Sequence, residues 1–373
     1  MTEGDAINDP RAGPGSGWFH RHPRLAMALP TLALLLPADL MVGTLTNRQP
    51  VGAVRHHAYH HGLAANVDER VPWGQGSYRR ITNSLGLRDG VRREVPLHAE
   101  PGHRRILFIG DSFTEGVGID WDRTFVGRVA AALAPRGIEV LDAGVQSYSP
   151  KLAYLKVKYL VETARLSFDE IEMLVDVSDV QDELMYESFV PGFTWDHVTH
   201  RASDWLTKHS LIARTILDRL RERWSQSVTR SFGEGGLQER ALWTVDDRIW
   251  RRYGARGMAL AQENLDRLVA YARAHGMPVH VIVYPWPEQI RARDLESKQV
   301  TMWRDFARRE NVGFTNLFPD FFRDDAEAVI KAYFIDGDSH WNESGHALVA
   351  RRWLQDRGYV LPPVDAALVP ATR

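Results

Sequence analysis

The sequence contains no cysteine among its 373 residues. Without thiols, the chain has no disulfide framework, no thiolate metal site and no cysteine nucleophile. It also lacks a charge excess, because 46 basic residues face 48 acidic ones and the formal net charge is −2. Proteins that bind nucleic acid usually carry a strong basic excess, so that class is disfavoured. The 44% hydrophobic and 25% charged fractions are those of an ordinary globular protein with one or two domains.

A long apolar stretch lies near the amino terminus, where Leu25 to Leu45 reads LAMALPTLALLLPADLMVGTL. It is long enough to cross a bilayer as a helix, although two prolines and Asp39 interrupt it. Arginines precede it and no clear cleavage site follows, which predicts an uncleaved signal-anchor with most of the chain outside the cytoplasm. A cleaved signal peptide is the alternative. The predicted parts are a cytoplasmic segment at 1–24, a transmembrane anchor at 25–45, a linker and N-terminal extension at 46–103 and the main domain at 104–373.

Four histidines in the extension are spaced for pairing on a helix. His56 and His60, and likewise His57 and His61, are four residues apart, so on a helix each pair would share a face. A metal site needs further ligands, and the run contains no acid and ends at Gly62. We therefore expect no metal site here.

From Arg104 onward, short apolar runs alternate with longer stretches that carry apolar residues at helical spacing. Strands are predicted at Arg105–Gly110, Glu139–Ala143, Ile171–Val177, Val279–Tyr284 and Gly313–Leu317. Such alternation predicts an α/β fold with a parallel sheet covered by helices on both faces. The stretch at 186–254 breaks the rhythm and is interpreted as a helical insertion that forms a lid or a partner surface.

A serine follows the first predicted strand directly. The turn Gly-Asp-Ser ends at Ser112, and a strand that stops at such a turn places the next side chains where open α/β folds bind their ligands. After the last strand, the stretch YFIDGDSHWNESGH supplies Asp336, Asp338 and His340 at the same predicted sheet edge. Serine, histidine and aspartate together form the constellation that activates a hydroxyl for nucleophilic attack. The alternative is a plain strand-ending turn with a packed histidine.

Four stretches resemble, in order, the sequence blocks of the SGNH (GDSL-type) hydrolases. They are GDSFTEG at 110–116, LDAGVQSYSP at 141–150, LVDVSDVQDE at 174–183 and DSHWNESGH at 338–346. The resemblance covers about residues 83–358 without the insertion. It implies a flavodoxin-like three-layer α/β/α fold and acyl-ester chemistry that needs no cofactor and no metal.

The resemblance also implies roles for single residues. Ser112 becomes the nucleophile and His340 the general base. The second block usually has a glycine whose backbone N–H helps to hold the oxyanion, and Ser147 stands there with the same N–H. The third block usually has an asparagine as another donor, and Ser178 stands there. The expected oxyanion hole therefore consists of Ser112, Ser147 and Ser178, whose hydroxyl replaces the amide in part.

The acid that orients His340 also departs from the family pattern. The usual aspartate lies three residues before the histidine, a position that Gly337 occupies here. Asp338 lies two residues before the histidine and Asp336 four. The short spacing DSHW resembles that of alginate-acetylation enzymes, so we expect Asp338 to orient His340 and Asp336 to form a turn.

These observations predict an extracytoplasmic serine esterase that removes acetyl or another short acyl group from a glycan or related ester. An O-acyltransferase that decorates an exported polysaccharide shares the first chemical step and stays open as an alternative. The alternative of another class is an inactive binding module, which Ser178 in place of asparagine favours. Expected partners are the acylated substrate, the membrane through the anchor, and a polysaccharide-biosynthesis or acyl-donor protein. No nucleic-acid partner is expected.

Overall fold

The computed structural model describes residues 22–46, 53–193, 195–220 and 239–359. These residues belong to two compact units. The helical unit falls within Met1–Gln49 and Val198–Val228, and the sheet unit within Pro50–His197 and Thr229–Arg373. The predicted catalytic residues all belong to the sheet unit.

The described strands form one five-stranded sheet and two hairpins. They are β1 Val54–His56, β2 His60–Gly62, β3 Asp68–Trp73, β4 Gly76–Ile81, β5 Arg104–Ile109, β6 Ile138–Asp142, β7 Glu170–Val175, β8 Val279–Val283 and β9 Gly313–Asn316. The large sheet has the order β6-β5-β7-β8-β9, and every neighbouring pair in it is parallel. Numbered within the sheet, this is the flavodoxin-like order 2-1-3-4-5. The five strands predicted from apolar runs are thus confirmed, each to within two residues at either end.

The described helices account for most of the remaining residues. They are α1 Pro23–Thr46, α2 Ser112–Glu115, α3 Phe125–Leu133, α4 Pro150–Glu162, α5 Asp179–Tyr186, α6 Trp195–His209, α7 at 211–220, α8 Asp247–Ile249, α9 Ala255–Ala274, α10 Pro287–Arg291, α11 Lys298–Glu310, α12 Phe318–Phe321, α13 Ala326–Tyr333 and α14 Glu343–Asp356. Right-handed crossovers place α3 on one face of the sheet and α4, α9 and α11 on the other, because the strand order reverses after β6. Helix α14 packs on α3, and α9 packs on α4 and α5. The three-layer α/β/α fold is confirmed.

Strand β5 shows why the core lies where it does. Ile106, Leu107, Phe108 and Ile109 are all fully buried. A strand covered on both faces needs such a continuous apolar run rather than alternation. Each of these side chains contributes about 1.5–3 kcal/mol by leaving water. The end of β5, where the predicted nucleophile follows, is therefore held rigidly.

The histidine run of the extension forms a hairpin, so the helical pairing considered for it is wrong. His56 in β1 pairs with His60 in β2 across the antiparallel ladder. The His56 ring stacks on Tyr59 at 3.8 Å between centroids, which makes it a packing group. Within the described ranges, no three side chains of the ligand-forming types are placed to hold a metal ion.

The end of the insertion is part of the sheet unit. Trp243 is fully buried and donates its indole N–H to the carbonyl of Val177 at 2.8 Å. Arg240 forms an ion pair with buried Asp182 at 2.6 Å. Residues 239–254 thus pack against the loop that follows β7, while 221–238 lie outside the described residues.

Helix α1 contains the predicted anchor. Within the described residues, Met27–Thr46 is the stretch long and apolar enough to cross a membrane, with a mean hydropathy of 1.6. Both a membrane anchor and a signal sequence have this character. Most of the predicted cytoplasmic segment at 1–24 lies outside the described residues.

Candidate active site

Ser112, His340 and Asp338 form a continuous chain of hydrogen bonds. Ser112 Oγ lies 2.8 Å from His340 Nε2, and His340 Nδ1 lies 2.7 Å from Asp338 Oδ1. Because the carboxylate can only accept, Nδ1 carries the proton and Nε2 is left to accept the serine proton. The serine and the histidine are 228 positions apart in the sequence, so the sheet brings them together. This is the arrangement that activates a serine hydroxyl.

Ser112 is positioned by the turn that follows β5. Asp111 caps the short helix α2 by accepting the Phe113 backbone N–H at 2.9 Å. A Cβ atom at Gly110 would lie 2.3 Å from Thr114 Oγ1, so only glycine fits there. The tight turn exposes the next side chain at the carboxyl end of a central strand.

His340 is held by a compact loop between α13 and α14. The backbone N–H of Ile335 donates to the carbonyl of His340 at 2.9 Å and closes this loop. The imidazole stacks on Phe113 with 4.8 Å between ring centroids. Asn342 then caps α14 by accepting the N–H groups of Ser344 and Gly345. The ring is therefore fixed from the loop side and from the nucleophile side.

The two candidate acids of this loop differ in their exposure and in their contacts. Asp338 is partly buried, and the Asp336 side chain is exposed. Gly337 between them has a φ of +72°, a left-handed conformation that favours glycine. No hydrogen bond joins the Asp336 carboxylate to any described residue. The structure brings Asp338, and not Asp336, to the histidine.

Trp73 completes the surroundings of Asp338 and was not foreseen from the sequence. Its indole N–H donates to Asp338 Oδ2 at 2.7 Å, and its ring meets the His340 ring edge-on at 5.2 Å. Trp73 ends β3 at the tip of the β3–β4 hairpin, whose two-residue turn begins at Gly74 with a φ of +55°. The Gly-Gln-Gly signal predicts a hairpin turn, but nothing in it indicates where the tip docks.

The charge of Asp338 follows from these contacts. Partial burial raises its pKa, but the hydrogen bonds from His340 and Trp73 and the charge of His340 outweigh that effect and lower it to about 2. The carboxylate is therefore ionised at neutral pH. An ionised partner can stabilise the imidazolium that forms when the histidine takes a proton.

The three residues expected to form the oxyanion hole differ in whether their hydrogen-bond donors already have acceptors. Within the described ranges, neither the Ser112 nor the Ser147 backbone N–H has a protein acceptor. Ser147 has a φ of +59°, which is strained for a residue other than glycine. Ser178 is buried; its hydroxyl donates to Asp182 at 3.4 Å and its N–H to Asp176 at 2.5 Å. Both donors of Ser178 are thus engaged by carboxyl groups.

Comparison with known proteins gives matches among solved structures. No family model and no curated protein matches the chain. Among solved structures, it is similar to an acetylxylan esterase from Geobacillus stearothermophilus, at 14% identity and a TM-score of 0.40 over 69% of this chain and 95% of that one. A structure named TesA has 13% identity and a TM-score of 0.40, over 69% and 100% of the chains. A putative acylhydrolase from Bacteroides fragilis has 13% identity and a TM-score of 0.38, over 71% and 91%.

The chain has the fold that its resemblance to SGNH hydrolases implies. The strand order and the layers show this directly.

A cluster of acids lies beneath the nucleophile. The Tyr284 hydroxyl lies 3.0 Å from Asp111 Oδ1 and 3.1 Å from Asp176 Oδ2, and the Trp286 indole donates to Asp176 at 3.1 Å. Burial and the neighbouring Asp176 raise the pKa of Asp111 well above its usual range. Burial likewise raises the pKa of Asp179. Burial within this cluster therefore favours the protonated form of Asp111 beside Ser112.

A cavity of about 1080 Å³ borders the histidine loop. Its lining includes Asp336, Asp338 and the side of Trp286, together with charged groups such as Glu288 and Arg291. This volume is at the upper end of the range for ligand pockets. The cavity offers room beside the triad for a ligand larger than a simple ester.

Proposed function

We propose that this protein is a serine esterase that works through an acyl-serine intermediate. The hydrogen-bonded chain from Ser112 through His340 to Asp338 carries the proposal. His340 Nε2 takes the proton of Ser112 as its oxygen attacks the acyl carbon, and Asp338 stabilises the imidazolium. The proton then passes to the leaving alcohol oxygen as the ester bond breaks. Water, deprotonated by His340, then attacks the acyl carbon. The carboxylic acid leaves as His340 returns the proton to the Ser112 oxygen.

The oxyanion of each tetrahedral intermediate is held by the backbone N–H groups of Ser112 and Ser147, which have no acceptor within the described chain. Ser178 acts as a third donor only when its hydroxyl turns away from Asp182, which requires rotation about one side-chain bond. Loss of one well-placed donor raises the barrier by about 2.7–4 kcal/mol. While Asp182 holds the Ser178 hydroxyl, the two amides alone stabilise the oxyanion, and turnover is slower than with three donors.

The proposed substrate is an acetylated or otherwise short-acylated glycan outside the cytoplasm. The cavity beside Asp338 supports a substrate larger than the acyl group itself. The membrane-length apolar helix α1 supports an extracytoplasmic location for the sheet unit. The first test is release of acetate from acetylated oligosaccharides by the full chain in detergent.

A second candidate is acyl transfer to a sugar hydroxyl. The observation that favours it is the contact of Asp338 with His340 across one intervening residue, a spacing that resembles that of alginate-acetylation enzymes. Incubating the protein with an acetyl donor and an unacylated oligosaccharide decides between the two. Acetyl-oligosaccharide formed in excess over free acetate indicates a transferase, and free acetate alone indicates an esterase.

The nucleophile is tested with a fluorophosphonate probe. We expect the full chain to be labelled and Ser112→Ala to lose all labelling. Ser344→Ala is the matched control, because Ser344 lies on the exposed first turn of α14 and should label like the parent. Equal labelling of Ser112→Ala contradicts the assignment. A parent chain that neither labels nor hydrolyses acyl esters indicates the inactive binding module.

A further inference from the structure

Asp39 lies inside apolar helix α1, about 10 Å before its end at Thr46 if the helix rises 1.5 Å per residue. An acid within a membrane-length apolar helix is costly unless polar groups meet it. Asp39 Oδ2 accepts the Ser210 hydroxyl at 2.5 Å, and Oδ1 accepts the Ile212 N–H at 3.1 Å. Both partners come from the insertion, far away in sequence.

These contacts cap the break between two helices. Helix α6 ends at His209, and α7 begins after Ser210. The Ser210 oxygen also accepts the Ala213 N–H at 2.9 Å. Side-chain oxygens from Asp39 and Ser210 therefore satisfy the N–H groups that the start of a helix leaves without partners.

Two further contacts hold the same turn against α1. Thr44 Oγ1 lies 3.0 Å from His209 Nδ1. A Cβ atom at Gly43 would lie 2.2 Å from the His209 carbonyl oxygen, so this approach requires glycine. Small residues allow such close backbone approach between membrane helices. A turn that touches Asp39, Gly43 and Thr44 lies at the depth of the apolar span.

Helix α7 carries an uncovered apolar stripe. Ile212, Ile216 and Leu220 lie four residues apart on one face, and each is more than half exposed. Arg214 and Asp218 lie on the opposite side of the helix by the same periodicity. Such a helix is typical of segments that lie in a membrane interface.

We propose that the α6–α7 turn is seated in the lipid bilayer beside α1, with Ile212, Ile216 and Leu220 facing the acyl chains. The bilayer is the occupant because the stripe belongs to the same unit as α1, whose Met41 and Leu45 side chains are also exposed. A chain break at membrane depth needs its polar groups bonded within the protein, and Asp39 supplies those bonds. This inference rests on the anchor role that the proposed function gives to α1.

The absence of cysteine makes a direct test simple, because each added cysteine is unique. Full-length Ile216→Cys and its matched control Asp218→Cys, on the opposite face of α7, are spin-labelled and reconstituted into phosphatidylethanolamine–phosphatidylglycerol vesicles. Access of oxygen and of a water-soluble nickel chelate to each label is then measured. We expect the label at 216 to meet oxygen and to lose nickel broadening, and the label at 218 to retain nickel broadening.

The outcomes separate this inference from the proposals on which it rests. If the protein stays in the vesicles after carbonate washing but nickel broadens the labels at both positions, bilayer seating is overturned and the anchor is not. Spin–spin coupling between labels at 216 also overturns bilayer seating, because it would indicate contact with a second copy of the chain. Release of the protein by carbonate overturns the anchor and the seating together. Hydrolysis of a small ester by both labelled variants shows whether the sheet unit is intact and tests the esterase proposal independently.

Asp39 provides a second readout. Combined with Ile216→Cys, Asp39→Ala removes both capping bonds, and we expect nickel broadening at 216 to return. Asp39→Asn keeps an acceptor for the Ile212 N–H and should keep the label shielded. Identical shielding in all three backgrounds overturns the role of Asp39 in seating the turn.

Discussion

The pKa values of two acidic groups at the same sheet edge shift in opposite directions. Asp338 lies beside His340 and the Trp73 indole, and these contacts lower its pKa to about 2. Asp111 lies beside another acid, Asp176, and burial with that neighbour raises its pKa. Burial raises the pKa of both, and at Asp111 it is the largest cause, to which Asp176 adds. At Asp338 the hydrogen bonds and the charge of His340 outweigh burial and leave a charged partner for the reaction.

The largest expected effect comes from removing the charge of Asp338. Asp338→Asn should lower turnover of an acyl ester by up to about 10⁴-fold, because the amide no longer holds the reactive tautomer or stabilises the imidazolium. Asp336→Asn is the matched control, since its side chain is exposed, and it should cost at least tenfold less. Steady-state kinetics of both variants, with folding checked by circular dichroism, decide the point. Greater damage from Asp336→Asn contradicts the assignment.

A smaller effect is expected at the indole that meets Asp338. Trp73→Phe keeps the ring and removes the N–H donor, so turnover should fall about tenfold, equivalent to about 1.4 kcal/mol of barrier. Trp286→Phe removes the matching donor to Asp176 and should lower the melting temperature more than the turnover. Single-turnover kinetics and thermal melts of the pair test the contrast. An unchanged turnover number for Trp73→Phe would show that the contact with His340 is enough to hold the Asp338 carboxylate in place.

The raised pKa of Asp111 predicts a change in stability with pH. Because its pKa is higher in the folded state, its contribution is fully present below about pH 4 and is lost as the pH rises through the folded value. Asp111→Asn cannot ionise and removes that loss. We expect the free energy of unfolding of the parent to fall relative to the variant as the pH rises above about 4, measured by urea titration. Parallel pH curves would contradict a raised pKa for Asp111.

The smallest effect is expected from substitution of Ser178, whose hydroxyl already donates a hydrogen bond to another acid, Asp182. Burial raises the pKa of Asp182 to about 6, while Arg240 and the Ser178 hydroxyl act in the opposite direction. If the hydroxyl stays on Asp182, Ser178→Ala should lower kcat less than tenfold and leave KM unchanged. A loss of a hundredfold or more would show that the hydroxyl moves to the oxyanion during catalysis.

Two contacts, those of Trp73 and Asp39, join residues that lie far apart in the sequence. Trp73 reaches Asp338 across 265 positions, and no local pattern records such a contact. Asp39 interrupts an apolar run in the sequence, yet it caps a helix by accepting the N–H of Ile212, which lies 173 positions later. The Ser178 hydroxyl was expected at the oxyanion and is instead bonded to Asp182 in the structure.

The strands, their parallel arrangement and the identity of the serine, the histidine and its nearest acid follow from the amino-acid sequence. Apolar runs between helical stretches have one good way to be buried, and parallel strands bring the residues that follow them to one edge. The direction in which the pKa of each carboxyl shifts depends on the folded chain. The pKa of a carboxyl depends on burial and on the donors and charges within a few ångströms, and the folded chain alone brings these together.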